Sequence, residues 1–126
     1  MIKILFSIAA GGAIGAVLRY LTASTIYTAY GRSFPYGTLV VNVVGSFLMG
    51  FLSLWLIERI NAGPALRAFA LVGLLGAYTT FSTFSIETFH LIEAGEAGKA
   101  FVNAALSVVL CVAAVTVGLV TARHLS

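Results

Sequence analysis

Long apolar stretches divide the chain into four parts, and short polar segments connect them. The stretches run from Ile4 to about Tyr27, from about Tyr36 to Ile57, from Ala68 to about Leu91 and from Ala100 to about Ala122. Each is close to the ~20 residues that a helix needs to cross a bilayer. The pattern predicts an all-α membrane protein, with residues 1–126 forming a single domain of four transmembrane helices.

Composition argues against a soluble fold. Apolar residues make up 60% of the chain and charged residues 9%, whereas a soluble domain carries roughly 25% charged residues. We therefore expect a multi-pass protein of the cell inner (plasma) membrane, with the lipid bilayer as its surroundings. The net charge of +3 requires no nucleic-acid partner, because basic loops beside anionic lipid account for it.

The basic residues are divided almost evenly between the two ends of the predicted helices. The end that holds both termini carries Lys3, Arg59, Arg67 and Arg123. The opposite end carries Arg19, Arg32 and Lys99. Because a clear Lys/Arg excess normally fixes membrane orientation, this balance predicts that both orientations coexist. Two oppositely inserted copies would form an antiparallel, dual-topology homodimer with its two-fold axis in the membrane plane.

The run from Thr79 to Ser85, Thr-Thr-Phe-Ser-Thr-Phe-Ser, is the most informative segment. It places Phe81 and Phe84 on one helix face among hydroxyls that compete for backbone carbonyls. With Gly76 just upstream, the run predicts a break in the third helix. Exposed carbonyl oxygens suit a hard cation such as Na⁺, whereas hydroxyl donors and the positive edges of benzene rings suit an anion.

Other polar residues in the apolar stretches have two interpretations each. Arg19 either extends to the membrane interface or supplies a fixed positive charge in an anion vestibule. Asn42, Asn103 and Ser107 either join helices by hydrogen bonds or face a pore. Glu87 is the one acidic residue placed within a predicted helix.

Small residues also predict where helices approach closely. Gly11 and Gly15 form a G-x-x-x-G pair in the first helix, and Gly45 and Gly50 give the second helix a small face. Such pairs let two helix backbones come into contact.

The sequence lacks the residues that enzymes and proton-coupled pumps need. It has no Ser/His/Asp set, Cys/His pair or cluster of metal ligands, which argues against an enzyme. Proton-coupled pumps place carboxylates near the bilayer centre, and helices one, two and four have none. Passive permeation is favoured. The alternatives are a small dual-topology multidrug transporter, which would need a glutamate in helix one, and a non-transporting membrane assembly subunit, which leaves the Thr/Ser/Phe run unexplained.

Three motifs together resemble the Fluc (CrcB-type) fluoride ion channels. They are Gly11-Gly12-x-x-Gly15-x-x-x-Arg19-Tyr20, Gly37-Thr38-Leu39-x-Val41-Asn42 and Thr79-Thr80-Phe81-Ser82-Thr83-Phe84-Ser85. They occur in three of the four helices in the family's order, and the chain length fits. One departure is Ala77, which stands where the family often has a second glycine before the Thr/Ser run.

The resemblance implies a dual-topology homodimer with two antiparallel pores that passively export cytoplasmic fluoride. It implies that Phe81 and Phe84 line the pores, with Asn42 nearby. It also implies a polar track, which contains Ser82, Thr83, Glu87 and a polar residue of helix four, with Asn103 and Ser107 as candidates. A central structural Na⁺ is implied as well, held by backbone carbonyls of Gly76 and Thr79 from both subunits.

Overall fold

The computed structural model describes residues 1–125, and all of their regular structure is helical. Four helices are long and apolar enough to cross a membrane, and we call them the first to fourth spans. They are Ile2–Tyr30, Tyr36–Arg59, Pro64–Glu93 and Ala97–Leu125. This confirms the prediction of an all-α protein with four transmembrane helices. Each span extends beyond its predicted apolar stretch, because helical hydrogen bonding continues into the polar residues that flank it.

The third span is interrupted, as predicted. Its upstream half, residues 64–78, comprises α-helical Pro64–Arg67, π-helical Ala68–Leu75 and a short turn at Gly76–Tyr78. Its downstream half is the α-helix Phe81–Glu93. Between them, Thr79 and Thr80 have extended backbone, with ψ angles of 156° and 117°. The second span also changes character, from α-helical Tyr36–Leu54 to π-helical Trp55–Arg59.

The first span packs backbone to backbone against the upstream half of the third. A Cβ added at Gly15 would collide with the carbonyl oxygen of Leu74. A Cβ at Gly73 would lie 2.6 Å from the carbonyl oxygen of Ile8. The predicted close approach through the G-x-x-x-G pair of the first helix is therefore confirmed, and Gly73 is its counterpart on the third span.

The second and fourth spans pack through glycines in the same way. A Cβ at Gly50 would collide with the carbonyl oxygen of Val115, and a Cβ at Gly118 would collide with that of Phe47. Gly50 belongs to the small face predicted on the second helix. Gly118 was not predicted, because a single glycine in an apolar stretch does not reveal which neighbour it faces.

Only a small core is enclosed by the four spans. Leu75, Val41 and Asn103 are the largest fully buried side chains, while many large apolar side chains are exposed along the spans. An apolar surface of this extent is stable in lipid or against another apolar protein surface. The fold thus positions the interruption of the third span beside the second span, with lipid-compatible surface around it.

Candidate functional site

The side chain of Asn42 pairs with the backbone of the interrupted third span. Its Nδ2 atom donates a hydrogen bond to the carbonyl oxygen of Thr80 at 3.0 Å, and its Oδ1 atom accepts one from the Thr80 N–H at 2.8 Å. An unpaired backbone group at membrane depth costs several kcal/mol. Asn42 therefore satisfies both backbone groups of an extended residue that has left the helix.

The same contacts change the partners of two carbonyl groups. In a continuous helix, the Thr80 N–H would bond to the carbonyl of Gly76 and the Thr83 N–H to that of Thr79. Here the Thr80 N–H donates to Asn42, and the Thr83 N–H donates to Oγ1 of Thr80 at 3.2 Å. The carbonyl oxygens of Gly76 and Thr79 have thus lost their usual helical donors, which is what oxygen ligands for a hard cation require.

Arg19 contacts the end of the upstream half. Its Nε atom donates to the carbonyl oxygen of Ala77 at 3.1 Å. Carbonyl groups at a helix C-terminus concentrate negative partial charge, which a cation stabilises. The sequence did not predict this partner. The contact holds the guanidinium inside the protein, at the edge of a polar cavity.

Two cavities flank the interruption. The first, which we call the hydroxyl cavity, has a volume of about 270 Å³. Its polar lining consists of Arg19, Tyr20, Ser24, Tyr27, Arg32, Thr38, Thr80, Thr83 and Glu87. The second, which we call the phenylalanine cavity, has a volume of about 380 Å³ and includes Asn42, Thr79, Thr80, Phe81, Phe84 and Ser107 in its lining. Since Thr80 lines both cavities, the interruption lies between them. One cavity is lined by hydroxyl groups and charged side chains, and the other includes two phenylalanine rings.

Phe81 and Phe84 lie side by side at the phenylalanine cavity. Their ring centroids are 5.3 Å apart and the rings are tilted by 42°, which confirms that they share a helix face. Phe84 is half-buried, whereas Phe81 is 78% exposed. The phenylalanine cavity is consequently open on one side, where lipid or a second protein surface would have to complete it.

Glu87 is paired with a residue that the sequence did not indicate. Its Oε2 atom accepts a hydrogen bond from the Tyr27 hydroxyl at 2.7 Å, while its Oε1 atom is buried without a partner. Further upstream, the Thr80 hydroxyl donates to that of Thr83 at 3.1 Å. A tyrosine near the end of an apolar stretch is usual at a membrane interface, so no sequence signal linked Tyr27 to Glu87.

Two residues of the predicted fluoride path lie outside both cavities. Ser82 is exposed, with its hydroxyl 3.4 Å from that of Thr80. Asn103 is 2% exposed, and its Nδ2 atom donates to the Thr88 hydroxyl at 2.9 Å, which joins the fourth span to the third. Of the predicted fluoride-path residues, the structure therefore gathers three at the hydroxyl cavity and four at the phenylalanine cavity. They are Arg19, Thr83 and Glu87 at the first, and Asn42, Phe81, Phe84 and Ser107 at the second.

Residues 1–125 contain no group of three or more His, Cys, Asp or Glu side chains that could hold an ion. The carbonyl oxygens of Gly76 and Thr79 at the interruption are candidate cation ligands that do not depend on such side chains.

Comparison with known proteins gives consistent matches along the chain. The family model described as CrcB-like protein, Camphor Resistance (CrcB), matches residues 6–119. The fluoride-specific ion channel FluC of Methylococcus capsulatus is 57% identical over 122 residues, which cover 97% of this chain and 54% of that protein. The FluC proteins of Magnetococcus marinus and Geobacter metallireducens are 50% and 48% identical, covering 92% and 94% of this chain. The chain spans about half the length of the first relative, but 94% and 96% of the other two.

Proposed function

Because this chain belongs to the CrcB family, we propose that it is a fluoride-selective ion channel through which cytoplasmic fluoride leaves the cell passively. The observation that carries the proposal is the family match over residues 6–119, together with relatives up to 57% identical that are named as fluoride-specific channels. Proteins of this family are ion channels rather than enzymes. In a bacterium, the four apolar spans place the protein in the inner membrane.

The comparisons do not support the two alternative functions. The two relatives whose alignments cover 92% and 94% of this chain are named fluoride-specific ion channels. Neither is named a multidrug transporter or an assembly subunit. A multidrug transporter also needs a carboxylate for proton coupling, and the first span has none. Glu87 on the third span is tied to Tyr27 instead.

The chemistry of the two cavities suits a small anion that must shed water. Hydroxyl groups at Thr38 and Thr83 would replace water as donors in the hydroxyl cavity, since the Thr80 hydroxyl already donates to Thr83. At the phenylalanine cavity, the ring edges of Phe81 and Phe84 carry partial positive charge that an anion can approach. A negative cell interior would drive fluoride outward with roughly 2.3 kcal/mol per charge per 100 mV, so no coupled energy source is required.

Fluoride efflux from liposomes is the direct test. The purified chain, reconstituted into vesicles loaded with potassium fluoride, should release fluoride when a potassium ionophore balances the charge. Vesicles loaded with potassium chloride provide the selectivity control and should release little chloride. Fluoride release no faster than from protein-free vesicles would refute the proposed function.

We further propose that the channel is an antiparallel homodimer with two fluoride pores. The exposure of Phe81 and the open side of the phenylalanine cavity support this, since a second copy would enclose both. The near-even distribution of basic residues between the two ends supports opposite insertion. Lys99 donates to the carbonyl oxygen of Ser33, so the loop after the first span and the start of the fourth span lie at the same end of the protein.

Cysteine labelling should detect both orientations of the chain. In a Cys111→Ser background, we expect Ser33→Cys and Ala62→Cys, in loops at opposite ends, each to be labelled on intact cells by a membrane-impermeant thiol reagent. Each should reach about half the labelling found after permeabilisation, because half of the copies present that loop outward. Labelling of one position at nearly full extent and none of the other would rule out dual topology.

We also propose a structural Na⁺ at the centre of this dimer. The carbonyl oxygens of Gly76 and Thr79 fit such an ion, since both have lost their helical donors at the interruption. Two carbonyls from each of two copies would supply four oxygen ligands, the ligand type that hard cations prefer. The ion would hold the two interruptions together electrostatically, while the residues of the chain provide the path for fluoride.

Removal of Na⁺ should weaken fluoride flux. We expect dialysis of the purified dimer into Na⁺-free buffer with N-methyl-D-glucamine to lower flux several-fold, because the two interruptions would lose their common ligand. Restored Na⁺ should recover the flux, while the same concentration of additional N-methyl-D-glucamine should not. Flux that is indifferent to prolonged Na⁺ removal would count against the site.

A further inference from the structure

A third cavity adjoins the hydroxyl cavity at the end of the protein that holds the loop after the first span. This mouth cavity has a volume of about 380 Å³, and its lining includes Ser33, His90 and Glu96. Three further side chains line both the mouth cavity and the hydroxyl cavity: Tyr27, Arg32 and Glu87. They therefore lie at the boundary between the mouth cavity and the hydroxyl groups deeper in the hydroxyl cavity.

Tyr27 is held firmly at this boundary. Its hydroxyl donates to Glu87 Oε2 at 2.7 Å and lies 3.3 Å from the hydroxyl of Thr38. Its ring packs on Gly37, where an added Cβ would lie 2.6 Å from the ring. The side chain is 8% exposed, so its position is fixed by residues of the second and third spans.

The guanidinium of Arg32 rests on the Tyr27 ring, 4.3 Å from the ring centroid. A cation over an aromatic face is attracted by the ring quadrupole. Arg32 is otherwise exposed, and within residues 1–125 its guanidinium donates no hydrogen bond. Its five N–H donors therefore remain available to an anion.

The positive and negative groups at the boundary do not neutralise each other. No ion pair joins Arg32 and Glu87 among residues 1–125. Tyr27 contacts both, because its hydroxyl satisfies the carboxylate and its ring face supports the guanidinium. Without this spacer, an arginine and a glutamate that line the same two cavities would be expected to pair.

We infer that Arg32, supported by Tyr27, is an anion-recruiting site at the channel mouth, and that Tyr27 is a positioning residue that keeps Glu87 from neutralising it. The ligand is a small inorganic anion, and the inference rests on the proposed fluoride channel function. Fluoride attracted to Arg32 would pass from the mouth cavity to the threonine hydroxyls of the hydroxyl cavity. A positive group at a mouth raises the local anion concentration and so the rate at which anions arrive.

Flux measurements at low ionic strength test the role of Arg32. We expect Arg32→Gln to reduce fluoride flux about fivefold at low fluoride concentration, and the deficit to shrink at high fluoride or high salt, because screening suppresses attraction by exposed charges. Lys99→Gln is the matched control. Lys99 lies at the same end, but it is already paired with Glu96 at 3.1 Å, so its loss should change flux less than twofold.

A double variant tests the positioning role of Tyr27. Tyr27→Leu removes both the hydroxyl and the ring, and it should reproduce the low-fluoride deficit of Arg32→Gln because Glu87 becomes free to pair with Arg32. Adding Glu87→Gln removes the competing charge and should restore the dependence on fluoride concentration to that of Glu87→Gln alone. A tyrosine with a purely structural role would not be rescued by this change.

Three outcomes would overturn the inference. The first is parental flux for Arg32→Gln at every fluoride and salt concentration. The second is an equal deficit for Lys99→Gln, which would indicate general surface charge. The third is a Tyr27→Leu deficit that Glu87→Gln leaves unchanged while size-exclusion chromatography shows an assembled protein. Failure of the proposed function itself is distinguishable, because the parent chain would then release no fluoride.

Discussion

Replacement of Phe81 or Phe84 by isoleucine is expected to leave an assembled protein but to lower fluoride flux about a hundredfold. Isoleucine is apolar and not much smaller than phenylalanine, and such exchanges usually cost less than about 1.5 kcal/mol in stability. Isoleucine has no ring edge with partial positive charge. Since each ~1.4 kcal/mol added to a barrier slows passage tenfold, one lost anion contact in a dry path accounts for an effect of this size.

Phe89→Ile is the matched control for both substitutions. Phe89 is on the same downstream half and is 51% exposed, but it lines neither the hydroxyl nor the phenylalanine cavity. Its variant should conduct within about threefold of the parent, a change of less than ~1 kcal/mol. The measurement is fluoride efflux from liposomes with protein content and assembly verified. If both cavity variants conduct at parental rates, Phe81 and Phe84 are packing residues and fluoride passes elsewhere.

Helix positions were predictable because the bilayer imposes a simple requirement on the sequence. A spanning segment must be long, apolar and internally hydrogen-bonded, and all four spans show this directly in the chain. The interruption of the third span was also predictable, since hydroxyls and glycine near Thr79 weaken a helix locally. The spans and the interruption both depend on residues that are close together in the sequence, so they can be read from the sequence without knowledge of the packing.

Pairings between distant residues were not predictable. Asn42 and Thr80 are 38 positions apart, and Tyr27 and Glu87 are 60 positions apart. Each pairing depends on how one span is rotated against another, and that rotation is set by glycine contacts such as Gly15 with Leu74. A sequence shows that a glycine permits close approach but not which backbone approaches it.

Helix packing also decides which cavity each candidate site residue lines. Spacing placed Phe81 and Phe84 on one helix face, and the structure has both at the phenylalanine cavity, whereas Thr83 and Glu87 line the hydroxyl cavity. Spacing did not exclude Ser82, which belongs to the same run but is exposed. Helical periodicity thus sorts residues by face, while the identity of the neighbour at each face comes from packing.

Replacement of Asn42 by leucine is expected to lower fluoride flux about a hundredfold and to destabilise the protein. Leucine has the same number of side-chain heavy atoms and the same branching but no hydrogen-bonding groups, so it leaves the N–H and carbonyl of Thr80 unpaired at membrane depth. Each unpaired backbone group at membrane depth costs several kcal/mol. The third span would relieve part of this cost by returning Thr80 to the helix, where its N–H would again bond to the carbonyl of Gly76.

Tyr78→Phe is a suitable control for this substitution, because it also removes a hydrogen bond between spans close to the interruption. The Tyr78 hydroxyl donates to Thr22 at 3.2 Å, but this bond joins two side chains and leaves the backbone pairing of Thr80 unchanged. We expect its flux to stay within about threefold of the parent and its loss of stability to be near 1 kcal/mol. Efflux from liposomes and thermal unfolding of the purified protein measure the two effects.

Parental flux for Asn42→Leu in an assembled protein would show that the amide neither maintains the interruption nor serves the fluoride path. A deficit equal to that of Tyr78→Phe would show that any lost contact between these spans has the same effect.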